Sequence, residues 1–198
     1  SCGGVSGIFQ GFTGSLVIFL QRGNLHKALA VHFKPALIFH LQRPGGHTYG
    51  ATDEFHLTGF EKMLAKYPKT VFIGHSMAFW SEISGDVPEE KREGYLKEPY
   101  TVKGRLWELL EKYPNLRGDI SAGSGAYALS CDPDHGAEFM EKFQDQLYFG
   151  TDICSTDDFD NDMLDLSTFL DDAMLKGKIS YTAYEKISRG NALNLLEK

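Results

Sequence analysis

Two rhythms of apolar residues alternate along the chain. In LTGFEKMLAKYPKTVFIGH, residues 57 to 75, Phe60, Met63, Leu64 and Tyr67 recur at helical spacing until Pro68 forbids continuation. Thr58 and Glu61 form a T-x-x-E signature at the start, which predicts a capping box. The following run, from about Thr70 to Gly74, is almost continuously apolar and reads as a buried strand. YTVKGRLWELLEKYPNLRGDISAGSG repeats this grammar. Val102, Leu106, Leu109, Leu110 and Tyr113 share a face, Pro114 is the stop, and Leu116 to Ile120 is the predicted strand. The shared K-Y-P at 66–68 and 112–114 marks the repeat.

A third unit is DPDHGAEFMEKFQDQLYFGTD, where Asp132 is placed to cap, Pro133 suits the first helical position, and Gln146 to Gly150 is the strand. Upstream, NLHKALAVHFKPALIFHLQ predicts a helix, a stop at Pro35 and a strand from Ala36 to Phe39, with SLVIFLQ (15–21) as one further strand. The stretches from about Asp162 to Lys176 and from Tyr181 to Leu196 read as helices separated at Gly177. Strands alternating with helices of this length pair in parallel through right-handed crossovers, so the fold class is α/β in a single domain over residues 1–198. An open doubly wound sheet and a (β/α) barrel both fit the pattern. A complete eightfold barrel takes about 250 residues, so a barrel here would be partial, with about four to five β/α units and C-terminal helices.

Composition narrows the partners. Twenty basic residues against 27 acidic give a formal charge of −7. There is no clustered basic face of the kind nucleic acid requires. The apolar N-terminal stretch carries its first charge, Arg22, after the apolar run, the reverse of a signal peptide, and is too short to span a bilayer. Three widely spaced cysteines, Cys2, Cys131 and Cys154, form neither a C-x-x-C pair nor a disulfide framework, so the expected setting is cytoplasmic, with no membrane partner.

In a parallel α/β fold, ligands bind at the carboxyl ends of the strands. Standing there are His40 after ALIF, His75 after TVFIG, Ser121 after LRGDI and Asp152 after LYFGT. Imidazoles and a carboxylate from separate strands suit zinc, iron or manganese, with a position left for water. His26, His32, His56 and His135 fall on predicted helices or at a helix start and read as surface residues, whereas His47 sits in a Gly-rich loop near the strand ends. The acidic run around Asp158, Asp160 and Asp162 imitates a calcium loop, but Met163 stands where that loop needs Gly and Phe169 where it needs Glu. Cys154 has no basic sequence neighbour and reads as structural, and Gly123-Ser124-Gly125 lacks the G-x-S-x-G nucleophile pattern.

Taken together, ALIFHLQ, VFIGHS, DISAGSG with DPDHGAEF, QLYFGTDI and ISRGNALNLL resemble the amidohydrolase superfamily, and within it the amidohydrolase-related branch of metal-dependent hydrolases and decarboxylases. The resemblance covers residues 35–198; residues 1–30 are atypical. It implies a (β/α)₈ barrel with a divalent metal, zinc first and manganese or iron next, at the carboxyl face. His40 and Asp152 would be metal ligands, and His75 a general acid/base or a ligand to a second metal. Asp152 and His75 would move protons on a small organic substrate, in C–N or C–O hydrolysis or in decarboxylation. Arg43, Phe79 and Trp80 are the candidate substrate contacts: Arg43 could clamp a carboxylate or stand as a solvated loop residue, and for Phe79 and Trp80 packing beneath the loop is the favoured alternative.

The family's H-x-H pair at the end of its first strand has no counterpart in the 198 residues. The expectation is therefore either the C-terminal part of a longer enzyme or a shortened member without the full metal site. The second alternative makes the chain a non-catalytic barrel fragment that serves as a binding or assembly module. Open strand edges predict a homo-oligomer, or else coverage of the edge by residues 1–30. A serine hydrolase on an open sheet is a third alternative.

Overall fold

The structure is a computed structural model and describes residues 8–10, 16–19, 36–46, 49–153 and 165–196. The helix expected before Pro35, His26, His32, His47, Cys154, and Asp158, Asp160 and Asp162 lie outside the described residues. Strands β1 (Ile8–Gln10), β2 (Leu16–Phe19), β3 (Ala36–Gln42), β4 (Ala51–Thr52), β5 (Val71–His75), β6 (Leu116–Asp119) and β7 (Leu147–Tyr148) form one sheet. Its order is β1-β2-β3-β5-β6-β7, with β4 pairing the end of β3. Only β1 runs antiparallel to its neighbour.

Helix α1 (Thr58–Lys66) links β3 to β5. After β5 come the single turn α2 (Met77–Trp80) and α3 (Arg105–Lys112), then β6. Helices α4 (Ala122–Ser130) and α5 (Pro133–Lys142) lead to β7. The chain closes with α6 (Asp165–Leu175), α7 (Tyr181–Glu185), a π-turn over Lys186–Gly190, and α8 (Asn191–Leu196). Among the described residues no helix is long and apolar enough to cross a membrane.

The strands follow one another in the sheet in chain order, without the reversal that defines a doubly wound sheet. Right-handed crossovers then place successive helices on the same face. The register bears this out. Leu37, Phe39, Leu41, Phe72, Leu116 and Leu147 occupy one face and join the helices in the core. The opposite face carries Ile38 and His40, Ile73 and His75, Arg117 and Asp119, and Tyr148, and none of these belongs to that core cluster. The result is an α/β fold with five parallel strands along the main path of the sheet, β2-β3-β5-β6-β7, and the short β4 parallel to the end of β3, compatible with part of a barrel.

Local signals held with some shifts. Asp132 caps α5 by accepting from the His135 N–H, and Pro133 opens the helix. Gly177 adopts φ 67° after α6, as a helix stop requires. The expected Thr58–Glu61 box does not form. Leu57 is the N-cap, in a left-handed conformation. The free N–H groups of Gly59 and Phe60 instead donate to the two carboxylate oxygens of Asp53, both at 2.8 Å. Glu61 turns outward to Arg105, Lys112 and Tyr113. Val102 lies before α3 and is exposed, so it is not part of that helix's apolar face.

Candidate functional site at the carboxyl ends of the strands

Strand β3 extends to Gln42, which makes His40 a strand residue. Its register partner is His75, the last residue of β5, and the two rings lie 5.5 Å apart. One register step beyond the Gly74–Gly118 pair brings His75 level with Asp119, which is itself paired with Tyr148. His40, His75, Asp119 and Tyr148 thus form a row across four adjacent strands on the face away from the helices.

His75 Nδ1 lies 3.1 Å from Asp119 Oδ2. The contact is an ion pair when the ring is protonated. Asp119 Oδ1 accepts from the Ser121 N–H at 3.0 Å, and its carbonyl accepts from Trp80 Nε1 at 2.8 Å. Both contacts fix the end of β6.

The two imidazoles are pushed apart in acidity. Burial lowers His40 to about 4, and repulsion from His75 adds to it, while the Tyr49 backbone and Glu93 act weakly the other way. Burial also opposes charge on His75, but Asp119 and then Asp152 outweigh it, and His75 rises above its ordinary value. The pair therefore holds a neutral ring beside one that favours its proton.

Around His40, Tyr49 stacks on the ring with centroids 4.0 Å apart. Gly50, at φ 128°, permits this approach, because a Cβ there would stand 2.1 Å from the His40 carbonyl oxygen. His40 Nδ1 is buried and makes no hydrogen bond among the described residues. Non-glycine residues in the left-handed half of backbone space stand after three consecutive strands: Ser76 (φ 111°), Ala122 (φ 59°) and Asp152 (φ 60°). Such strain concentrates at functional sites.

The remaining expected residues divide. Asp152 lies four residues beyond the end of β7, exposed but within electrostatic reach of His75. Arg43 stands at the end of β3 and is engaged by Glu93: its N–H donates to Glu93 at 3.0 Å and its Nε lies 3.5 Å from the same carboxylate. Phe79 and Trp80 take the packing role rather than that of substrate contacts and are core residues. They are essentially fully buried on the helix-covered face, where Phe79 fills the space over Gly74 and Trp80 that over Gly118. Their segment is the helical turn α2 rather than a loop.

Ser121 is displaced from the row by Asp119, the site residue the sequence reading missed. The donor types match a divalent metal, and neutral His40 is in the state a ligand needs. Among the described residues, however, no three His, Cys, Asp or Glu side chains come together as a metal site, so this donor set does not by itself fit one. No protein-family model matches the chain, and no curated protein and no solved structure matches it.

Proposed function

We propose that the chain carries the acid–base half of an amidohydrolase-related active site on a partial (β/α) barrel, acting on a small organic molecule by hydrolysis or decarboxylation. One observation carries this reading: His40, His75 and Asp119 stand in one row at the carboxyl ends of consecutive parallel strands, with the acidities of the two imidazoles pushed in opposite directions. Paired titratable groups whose environments push them apart mark an acid and its counterpart. His75, whose protonated form Asp119 favours, is the general acid that protonates the leaving atom in hydrolysis or the substrate carbon in decarboxylation. Asp119 orients the ring through Nδ1, which leaves Nε2 as the atom that moves the proton. Asp152 is the base that takes a proton from attacking water.

The test is turnover of a panel of lactones, cyclic amides and unsaturated carboxylic acids, followed by product formation and by release of carbon dioxide. The expected result is a kcat/KM lower by about 10²-fold or more in His75→Gln, the range for loss of a general acid, with the fold unchanged by circular dichroism. Turnover in His75→Gln equal to the parent's overturns the assignment. A folded parent that binds panel members without converting them favours the binding-module alternative. Metal content measured on the same preparation tests for bound zinc, manganese or iron.

A further inference from the structure

Ser76 follows His75 directly, where β5 has ended and the chain turns into α2. Its backbone, at φ 111° and ψ 167°, lies in a region essentially reserved for glycine. A serine there needs a reason, and its side chain supplies one. The ladder pairs His40 with His75, so the next pair would be Leu41 with residue 76. The chain has already turned away from the strand at that point, leaving the Leu41 N–H and C=O without a backbone partner on this side. The Ser76 hydroxyl replaces both. The Leu41 N–H donates to Oγ at 3.2 Å, and the hydroxyl donates to the Leu41 carbonyl at 2.7 Å. A third bond, from the Phe79 N–H at 3.4 Å, caps α2 with the same oxygen.

Few side chains can accept and donate through one atom. Glycine would relax the backbone but leave two buried groups of Leu41 unsatisfied, and alanine would retain the strain as well. Ser76 is 2% exposed, so bulk water does not reach these groups. Leu41 and Ser76 are the immediate neighbours of His40 and His75, and the hydroxyl is the link at the strand ends where the two rings face one another.

We propose that Ser76 is a positioning residue: its hydroxyl locks the carboxyl end of β3 to that of β5 and so fixes the His40 and His75 rings side by side. The consequence for catalysis rests on the acid–base reading above, whereas the geometric role does not.

The experiment compares Ser76→Gly and Ser76→Ala with the parent, using three readouts. Without substrate, amide exchange at Leu41 reports the hydrogen bond, and cross-relaxation between the His40 and His75 ring protons reports their relative placement. With a substrate from the panel, kcat and KM are measured separately. In Ser76→Gly, faster Leu41 exchange and a weakened ring-to-ring signal are expected, with kcat about 10- to 100-fold lower, as for a misplaced catalytic group, and little change in KM. Ser76→Ala should show the same losses together with a lower melting temperature, because it keeps the strain.

An unchanged ring-to-ring signal in Ser76→Gly overturns the proposal, as does a kcat equal to the parent's. A Ser76→Gly chain that cannot fold also overturns it, since the residue would then serve folding rather than placement. A parent without turnover counts against the functional reading only, because the two substrate-free measurements still decide the role of Ser76.

Discussion

At the scale of single residues, the opposite shifts of His40 and His75 make stability depend on pH from both sides. His40 titrates at about 4 in the folded chain, against about 6.5 when unfolded. Between those values the unfolded chain binds more protons, so the stability associated with neutral His40 is complete above about 6.5 and is lost as the pH falls toward 4. His75 is raised, so its contribution is complete below about 6.5 and is lost as the pH climbs through its folded value. Urea unfolding across pH 4 to 9 should show a shallower acid limb in His40→Gln and a shallower alkaline limb in His75→Gln; parallel curves would mean that neither ring is coupled to folding. Both histidines were legible in the sequence because each follows an apolar run. Asp119 was not, since Pro68 stands seven residues before His75 whereas Pro114 stands only five before Asp119. Reading the second repeat from its apolar run alone points two residues too far, to Ser121, on the same face parity but beyond the row.

At the scale of elements, the repeat seen as K-Y-P has a partner device that hydrophobic periodicity does not reveal. Asn115, just before β6, donates its amide to the carbonyls of Leu64, Tyr67 and Thr70, closing the end of α1 and the entry to β5. Gln146, just before β7, donates to Leu110, Tyr113 and Leu116, the corresponding places one unit later. Asn191 in α8 binds the carbonyls of Gln144 and Leu147 in turn. Carbonyls at the helix end and strand entry of one unit are thus met by an amide from a following unit, a contact between residues more than 40 apart in two of the three cases. Asn115→Ala should lower stability by about 1–3 kcal/mol, the cost of leaving buried carbonyls unmet, read from the midpoint of denaturant unfolding. Gly74 is the complementary case: a Cβ there would lie 2.1 Å from the Phe79 ring. Gly74→Ala should therefore destabilise by about 1–3 kcal/mol through overpacking, and a neutral result would show that α2 can shift away from the sheet without loss.

For the whole molecule, one-sided winding leaves the row of site residues on the sheet face opposite the helices, and a long excursion runs between α2 and α3. The neck of that excursion is closed by Gly85 N–H to the Val102 carbonyl at 2.7 Å, by Gly104 N–H to the Ile83 carbonyl at 2.8 Å, and by Asp86, which accepts from the N–H groups of Thr101 and Val102. Its middle is pinned by Arg92, buried and 3.1 Å from buried Glu82, which also accepts from the His56 N–H. The next residue, Glu93, is thereby held against Arg43 and within electrostatic reach of His40. None of this was legible, because a buried ion pair and a loop neck have no period in sequence, and the run from Ser84 to Gly104 is mostly polar. Glu82→Gln keeps the shape and removes the charge, which leaves the Arg92 guanidinium buried and uncompensated; the expected loss is about 3–5 kcal/mol. Pairing Glu82→Leu with Arg92→Met removes both charges and should recover most of it, since the attraction of a buried pair is largely offset by its desolvation. Limited trypsin digestion separates local from global effects. If the pin holds the excursion alone, cleavage after Lys91 and Lys97 accelerates in Glu82→Gln before any other site is cut. Simultaneous cutting throughout the chain would instead make the pair part of the cooperative core.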